Sequence, residues 1–253
     1  MLFVIFAVVT FVIGLFLGGF IERASYALPR GEFREIVAPK CSSCGRALPR
    51  KTFIPLVGSA LLAFRCPHCG ERKGLRLFLT ELIYAASLLL LYVFFYGQYS
   101  FYLYAVLIAV LLSLSLIDLD IREVPHSLML AVLGIGVLVF VFSFFTFSQA
   151  DTIWWEHLVG AVVISVPLFI LMMVTGGIGG GDVKLMFCLG LVLGFKLTFF
   201  AFLVGVVVAA LCAIVLRLAF GKGGQYQLPL VPFLSLGTLV ALLCGNAVIA
   251  AVI

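Results

Sequence analysis

Long apolar runs, nearly free of charge, constrain this chain more than any other feature. They occupy 1–21, 78–96, 101–117, 128–147, 157–175, 197–216 and 230–253, and an eighth, shorter run covers 183–195. An α-helix needs about 20 consecutive apolar residues to cross the roughly 30 Å hydrocarbon core of a bilayer. Inside lipid the backbone has no water to satisfy its N–H and C=O groups, so each run must close its hydrogen bonds internally as a helix. Of the 253 residues 64% are hydrophobic and 11% charged, with a mean hydropathy of +1.30. A soluble domain sits nearer 45–50% apolar and about 25% charged. A water-soluble globular enzyme is therefore excluded, and so is a disordered chain. The 25 glycines suit close helix packing in lipid.

Direction follows from lysine and arginine, which favour the cytoplasmic side. Segment 22–77 carries eleven of the sixteen: Arg23, Arg30, Arg34, Lys40, Arg46, Arg50, Lys51, Arg65, Arg72, Lys73 and Arg76. With that segment in the cytoplasm and eight spans, Arg122, Lys184, Arg217 and Lys222 also fall inside, and only Lys196 falls outside. Merging 183–216 into one span breaks the alternation at 217–222. The expected fold is an all-α polytopic membrane protein of about eight transmembrane helices. Its one sizeable polar piece lies between the first two helices. The first run has neither a basic leader nor a small-residue cleavage site before Arg23, so it reads as an uncleaved span. The bases of 22–77 suit anionic lipid headgroups, and no nucleic-acid partner is expected.

Within 22–77 stand Cys41-Ser-Ser-Cys44 and Cys66-Pro-His-Cys69, each pair followed by glycine and the two separated by 21 residues. Two such knuckles offer Cys41, Cys44, Cys66 and Cys69 as a tetrahedral thiolate site for zinc. With no open position the ion would be structural, a staple for a segment short of large apolar side chains. A pair of disulfides is the alternative, which a reducing cytoplasm disfavours. His68, between two thiols, reads as a bystander. Cys188, Cys212 and Cys244 stand singly in apolar runs, where packing accounts for them.

Acids at the edge of a span are costly and call for a reason. Asp118, Asp120 and Glu123 close the third span, and Asp182 follows Gly179-Gly180-Gly181 at the opening of the sixth. Both groups fall on the cytoplasmic side. Two carboxyl groups brought together share one proton, so one can act as base toward water and the other as acid toward a carbonyl. One acid from each group would then form an aspartic protease dyad. Spacing alone leaves two alternatives open. Acids at helix ends often only meet the headgroup region, and Asp182 suits a helix N-terminus. A proton- or cation-coupled transporter would also use membrane acids.

Taken in order, these motifs resemble those of the bacterial type IV prepilin peptidases, which also serve type II secretion. Gly14-Leu-Phe-Leu-Gly-Gly-Phe-Ile-Glu-Arg23 with Leu28-Pro29 is similar to the family's GSFLNVVIYRLP. The two cysteine pairs follow, enclosing Ile54-Pro55-Leu56 and Phe64-Arg65, and Glu81 falls at the glutamate of VELLTG. Ile117-Asp118 through Val124-Pro125 resembles IDxxxxxxPD, Gly179 through Leu185 matches GxGDVKL, and Leu228 through Gly237 resembles PFGPFLALG.

The resemblance implies a membrane aspartic peptidase in the bacterial inner membrane, with Asp118 and Asp182 catalytic near the cytoplasmic face and Asp120 the rival for the first position. It implies cleavage of the basic leader of prepilins or pseudopilins after a glycine. It also implies N-methylation of the new terminus with S-adenosylmethionine. The organisation expected is a first helix over 1–21, a cytoplasmic zinc-binding segment over 22–77 and an embedded peptidase domain over 78–253. Gly18, Thr52-Phe53 and His126 depart from the family's residues. Most of these departures lie in the amino-terminal third and bear on methylation more than on cleavage. Because the basic segment would repel a basic leader, leader recognition is expected of acids such as Glu22, Glu32, Glu35, Glu71 or Glu123.

Overall fold

The computed structural model describes residues 1–31, 36, 44, 46, 66, 68–70, 74–145, 154–177, 179–220, 228–245 and 247–248. Every regular element among the described residues is helical. In chain order they are α1 (Leu2–Ala27), α2 (Gly74–Phe94), α3 (Ser100–Ile121), α4 (His126–Phe145), α5 (Trp155–Thr175), α6 (Gly180–Phe220) and α7 (Val231–Val240). A π-helical turn, Ala241–Gly245, continues α7. Six of these helices are long and apolar enough to cross a membrane, α1 through α6. With 41 residues α6 is twice the length a span needs, and Gly194 breaks it with φ 74° and ψ 175°. The runs 183–195 and 197–216 are therefore joined in one element whose break, Gly194, falls near the end of the first run. The last run is divided differently from its reading in the sequence, into the short α7 and its π-helical turn.

The chain forms two compact units, Met1–Ile117 and Asp118–Ile253. In the first, α1 and α2 run antiparallel and meet through glycine. A Cβ on Gly14 would stand 2.6 Å from the Ala85 Cα, and one on Gly18 would stand 2.6 Å from the Glu81 Cα. Farther along the same pair Phe3 stacks near Tyr92, with ring centroids 5.4 Å apart. The Tyr84 hydroxyl donates to the Ala105 carbonyl at 3.1 Å, tying α2 to α3.

Helix α1 extends to Ala27, beyond the apolar run that ends at residue 21. Glu22 and Arg23 are carried into the helix because both find opposite charge on α2. The Arg76 Nε lies 3.0 Å from the Glu22 Oε1, and the Thr80 hydroxyl donates to the Glu22 Oε2 at 3.3 Å. Arg23 interacts with Glu81, which is buried. A Cβ on Gly19 would meet the Glu81 Oε1 at 2.9 Å and the Arg23 Nη2 at 3.5 Å, so both head groups sit over that glycine. Paired charges can be kept at the edge of a span where single ones cannot.

In the second unit α6 is the hub. Its first half crosses α5 at Gly160 and Gly190, where a Cβ on either would strike the other helix's backbone, and it meets α4 at Gly136. Its second half runs antiparallel to α7. There Gly237 lies on the Ala201 carbonyl, and a Cβ on Gly205 would lie 3.0 Å from the Phe233 carbonyl oxygen. Such contacts substitute dispersion and close backbone approach for a hydrophobic driving force that lipid does not supply.

Candidate active site

Asp118 occupies the last turn of α3. Arg122 ends that helix with φ 55°, its N–H donating to the Asp118 carbonyl at 3.1 Å. The Asp118 side chain is turned inward and only 7% exposed, whereas Asp120 is exposed. Residues two apart on an α-helix point to opposite sides, so the two acids cannot share one environment. The Asp118 Oδ2 accepts a hydrogen bond from the Val231 N–H at 3.2 Å. Val231 is the first residue of α7. Reading the sequence missed this partner. The proline at 232 was the available signal, because proline favours the first turn of a helix, and a helix start leaves N–H groups without intrahelical acceptors.

Asp182 lies in the first turn of α6, half-buried. Its N–H donates to the Gly179 carbonyl at 3.1 Å, and its carboxyl group receives the Gly179 N–H in return. The glycines ahead of it have unequal surroundings. A Cβ on Gly179 would stand 3.1 Å from the Asp182 Oδ2, and one on Gly181 would stand 2.7 Å from the Val124 Cγ2. A Cβ on Gly180 would meet only the Met172 sulfur, at 3.7 Å. The structure brings Asp118 and Asp182 within electrostatic reach of each other. Each carboxyl is thus held by one backbone N–H and lies near the other. That arrangement can activate a water and polarise a carbonyl together.

In the first unit the Cys44, Cys66 and Cys69 thiol sulfurs lie within 4.8 Å of one another, a cluster that could hold a metal ion. Cys44 and Cys66 are 4.0 Å apart. Tetrahedral thiolates around zinc at roughly 2.3 Å would stand roughly 3.8 Å apart, so the donor set suits such an ion. Gly70, with φ +73°, donates to the Cys66 carbonyl at 2.9 Å and closes the knuckle in the left-handed conformation glycine permits. Cys41 lies outside the described residues. His68 faces Arg46, its Nδ1 3.4 Å from the Arg46 Nη1. Of the acids considered for the leader, Glu22 is engaged by Arg76 and Thr80, and Glu123 is exposed beyond α3. Glu32, Glu35 and Glu71 lie outside the described residues.

Residues 105–214 match the profile of the Type IV leader peptidase family, and residues 12–95 match that of the bacterial peptidase A24 N-terminal domain. Several curated relatives align along most of the chain, and each is named a prepilin leader peptidase/N-methyltransferase. The one from Bacillus subtilis is 28% identical over 244 residues, covering 95% of both chains. The one from Stutzerimonas stutzeri is 29% identical, covering 97% of this chain and 93% of the relative. A Burkholderia pseudomallei relative is 31% identical, covering 81% of this chain and 67% of its own. No solved structure matches. The two profile matches follow one another along an all-helical membrane architecture, and the chain belongs to the type IV leader peptidase family.

Proposed function

We propose that this chain is an integral inner-membrane aspartic endopeptidase. It removes the leader of type IV prepilins or pseudopilins after a glycine, at the cytoplasmic face, through Asp118 and Asp182. The observation that carries the residue assignment is the pairing of these two carboxyl groups, one from the end of α3 and one from the start of α6, each on a backbone N–H. The ionised member takes a proton from a water as that water attacks the scissile carbonyl. The protonated member gives its proton to the carbonyl oxygen. The first member then passes the proton it took to the leaving nitrogen while the second takes one back from the gem-diol, and collapse of the tetrahedral intermediate expels the new amino terminus. The family membership supports peptidase chemistry, and nothing supports a transporter.

The matched relatives' name extends the reading to N-methylation of the cleaved product, for which S-adenosylmethionine is the methyl donor we expect. Zinc is the ion that the Cys44, Cys66 and Cys69 cluster suits, with Cys41 as the expected fourth ligand. It would organise segment 22–77 and leave the peptidase residues, in 78–253, to the helices around α6. The test incubates purified enzyme with a prepilin and S-adenosylmethionine and weighs the product. Loss of the leader supports the peptidase reading, and a further methyl mass supports the second activity. An intact prepilin after prolonged incubation with folded enzyme would overturn the first.

A further inference from the structure

We infer that the Val231 backbone amide is a positioning group for Asp118, presented by the start of α7. The inference rests on the assignment of Asp118 as catalytic. The first N–H groups of a helix have no intrahelical acceptor. In α7 the Phe233 and Leu234 N–H groups both turn back to the Leu230 carbonyl, at 3.1 Å each. Pro232 has no N–H. Leu230, the N-cap residue, offers no side-chain cap. Of the donors from 231 to 234, only the Val231 N–H reaches a side chain, and that side chain is Asp118, 113 residues earlier.

The surroundings make this contact directional. Val231 is 0% exposed, and the acceptor is also buried, so little water competes for either group. Low local polarity strengthens such a bond and penalises losing it. The amide itself is fixed by packing. Gly237 on the Ala201 carbonyl and Gly205 beneath Phe233 and Leu234 lock α7 to the second half of α6. The first turn of that same α6 carries Asp182. The first half of α6 therefore carries Asp182, and its second half, beyond the break at Gly194, holds α7 and through it the amide on Asp118. The N–H on Oδ2 restrains the Asp118 carboxyl and leaves its other oxygen, Oδ1, without a claim on the same donor.

Ordinary side-chain mutagenesis leaves a backbone donor in place, so the test removes the N–H itself. Val231→Pro does so at the first helical position, where proline is best tolerated. Val231→Ala keeps the amide and loses only the methyl groups. Both are assayed as full-length enzyme in lipid, on a prepilin, with thermal unfolding as the check on folding. Losing a hydrogen bond to a charged group should lower kcat by about 10- to 100-fold, with KM changed by less than about threefold because substrate contacts remain. Val231→Ala should keep at least about tenfold more kcat than Val231→Pro. Equal loss in the two variants, a loss confined to KM, or near-wild-type kcat in Val231→Pro would each overturn the inference.

If Val231→Pro does not fold, hydrogen exchange reads the contact directly. Pro229 and Pro232 carry no amide, so residues 229–232 report only Leu230 and Val231. Asp118→Ala should speed exchange there by at least about tenfold while α6 is unchanged, and unaltered exchange would overturn the contact. The catalytic assignment fails separately. A fully active Asp118→Asn enzyme would sink that assignment and the positioning role with it. A dead Asp118→Asn beside a fully active Val231→Pro sinks the positioning role alone.

Discussion

At the scale of single residues, Asp118 and Asp120 are separated by one leucine and by almost everything else. One faces inward on a backbone donor, and the other is exposed. Asp118→Asn and Asp182→Asn should each lower prepilin cleavage by roughly 10³-fold or more while leaving membrane insertion intact, since asparagine keeps the shape and cannot share the proton. Asp120→Asn should retain most of the rate. A dead Asp120→Asn beside an active Asp118→Asn would exchange their roles. The glycines before Asp182 differ in the same way. Gly181→Ala drives a methyl toward Val124 and should slow cleavage by about tenfold by displacing the start of α6. Gly180→Ala meets only a flexible methionine and should stay within about twofold. Equal rates for the two alanine variants would show that the glycines serve flexibility rather than clearance.

Among the helices, the deciding joint is where α5 crosses the first half of α6. Gly160 and Gly190 touch through backbone there, and Gly194 breaks α6 one turn later. Just ahead of that break the buried His157 of α5 donates from Nδ1 to the Leu191 carbonyl at 2.9 Å, with its Nε2 3.3 Å from the Ser143 Oγ of α4. Three helices are thus pinned by one imidazole. His157→Leu fills the volume but leaves that carbonyl and hydroxyl without the ring, and should cost about 1–3 kcal/mol. A fall in the thermal unfolding midpoint of the purified protein, with KM for prepilin unchanged, is the expected result. An unchanged midpoint would mean the ring is dispensable packing. The sequence reading passed over His157 because a lone histidine in an apolar run carries no spacing signal.

For the whole molecule, the cluster of Cys44, Cys66 and Cys69 belongs to the first compact unit, whereas Asp118, Asp182 and Val231 belong to the second. Replacing Cys44, Cys66 or Cys69 with serine should release the ion and loosen segment 22–77, because ligation energy in so small a segment is folding energy. Methylation should suffer first. Cleavage should fall by a smaller factor, through substrate docking rather than chemistry. Zinc content by elemental analysis, read beside the product mass for each variant, checks this. A metal-free wild type with both activities intact would refute the role. Total loss of cleavage in every variant with zinc still bound would place the thiols in the peptidase reaction.

Much of this protein could be read without coordinates, because its strongest constraints are local. An apolar run in lipid has only the helix open to it, so α1 to α5 were legible as spans, and α6 was legible as two apolar runs though not as one helix broken at Gly194. Two cysteines separated by two residues and followed by glycine make a knuckle wherever they occur, and a carboxylate at the edge of a span stands out by its cost. What tertiary structure alone decided is which helix meets which. In a soluble protein the buried face announces itself as an apolar stripe. Here the outer face is apolar too, with Phe142 and Val174 as exposed as many surface residues of a soluble domain, and that stripe disappears. The Gly160–Gly190 crossing, the Glu22–Arg76 pair that let α1 run on to Ala27, and the Val231 amide on Asp118 depend on helices distant in sequence coming together. Lipid exerts no pressure that would write those pairings into the hydropathy of the chain, and they form through backbone clearance and the need of buried polar groups for partners.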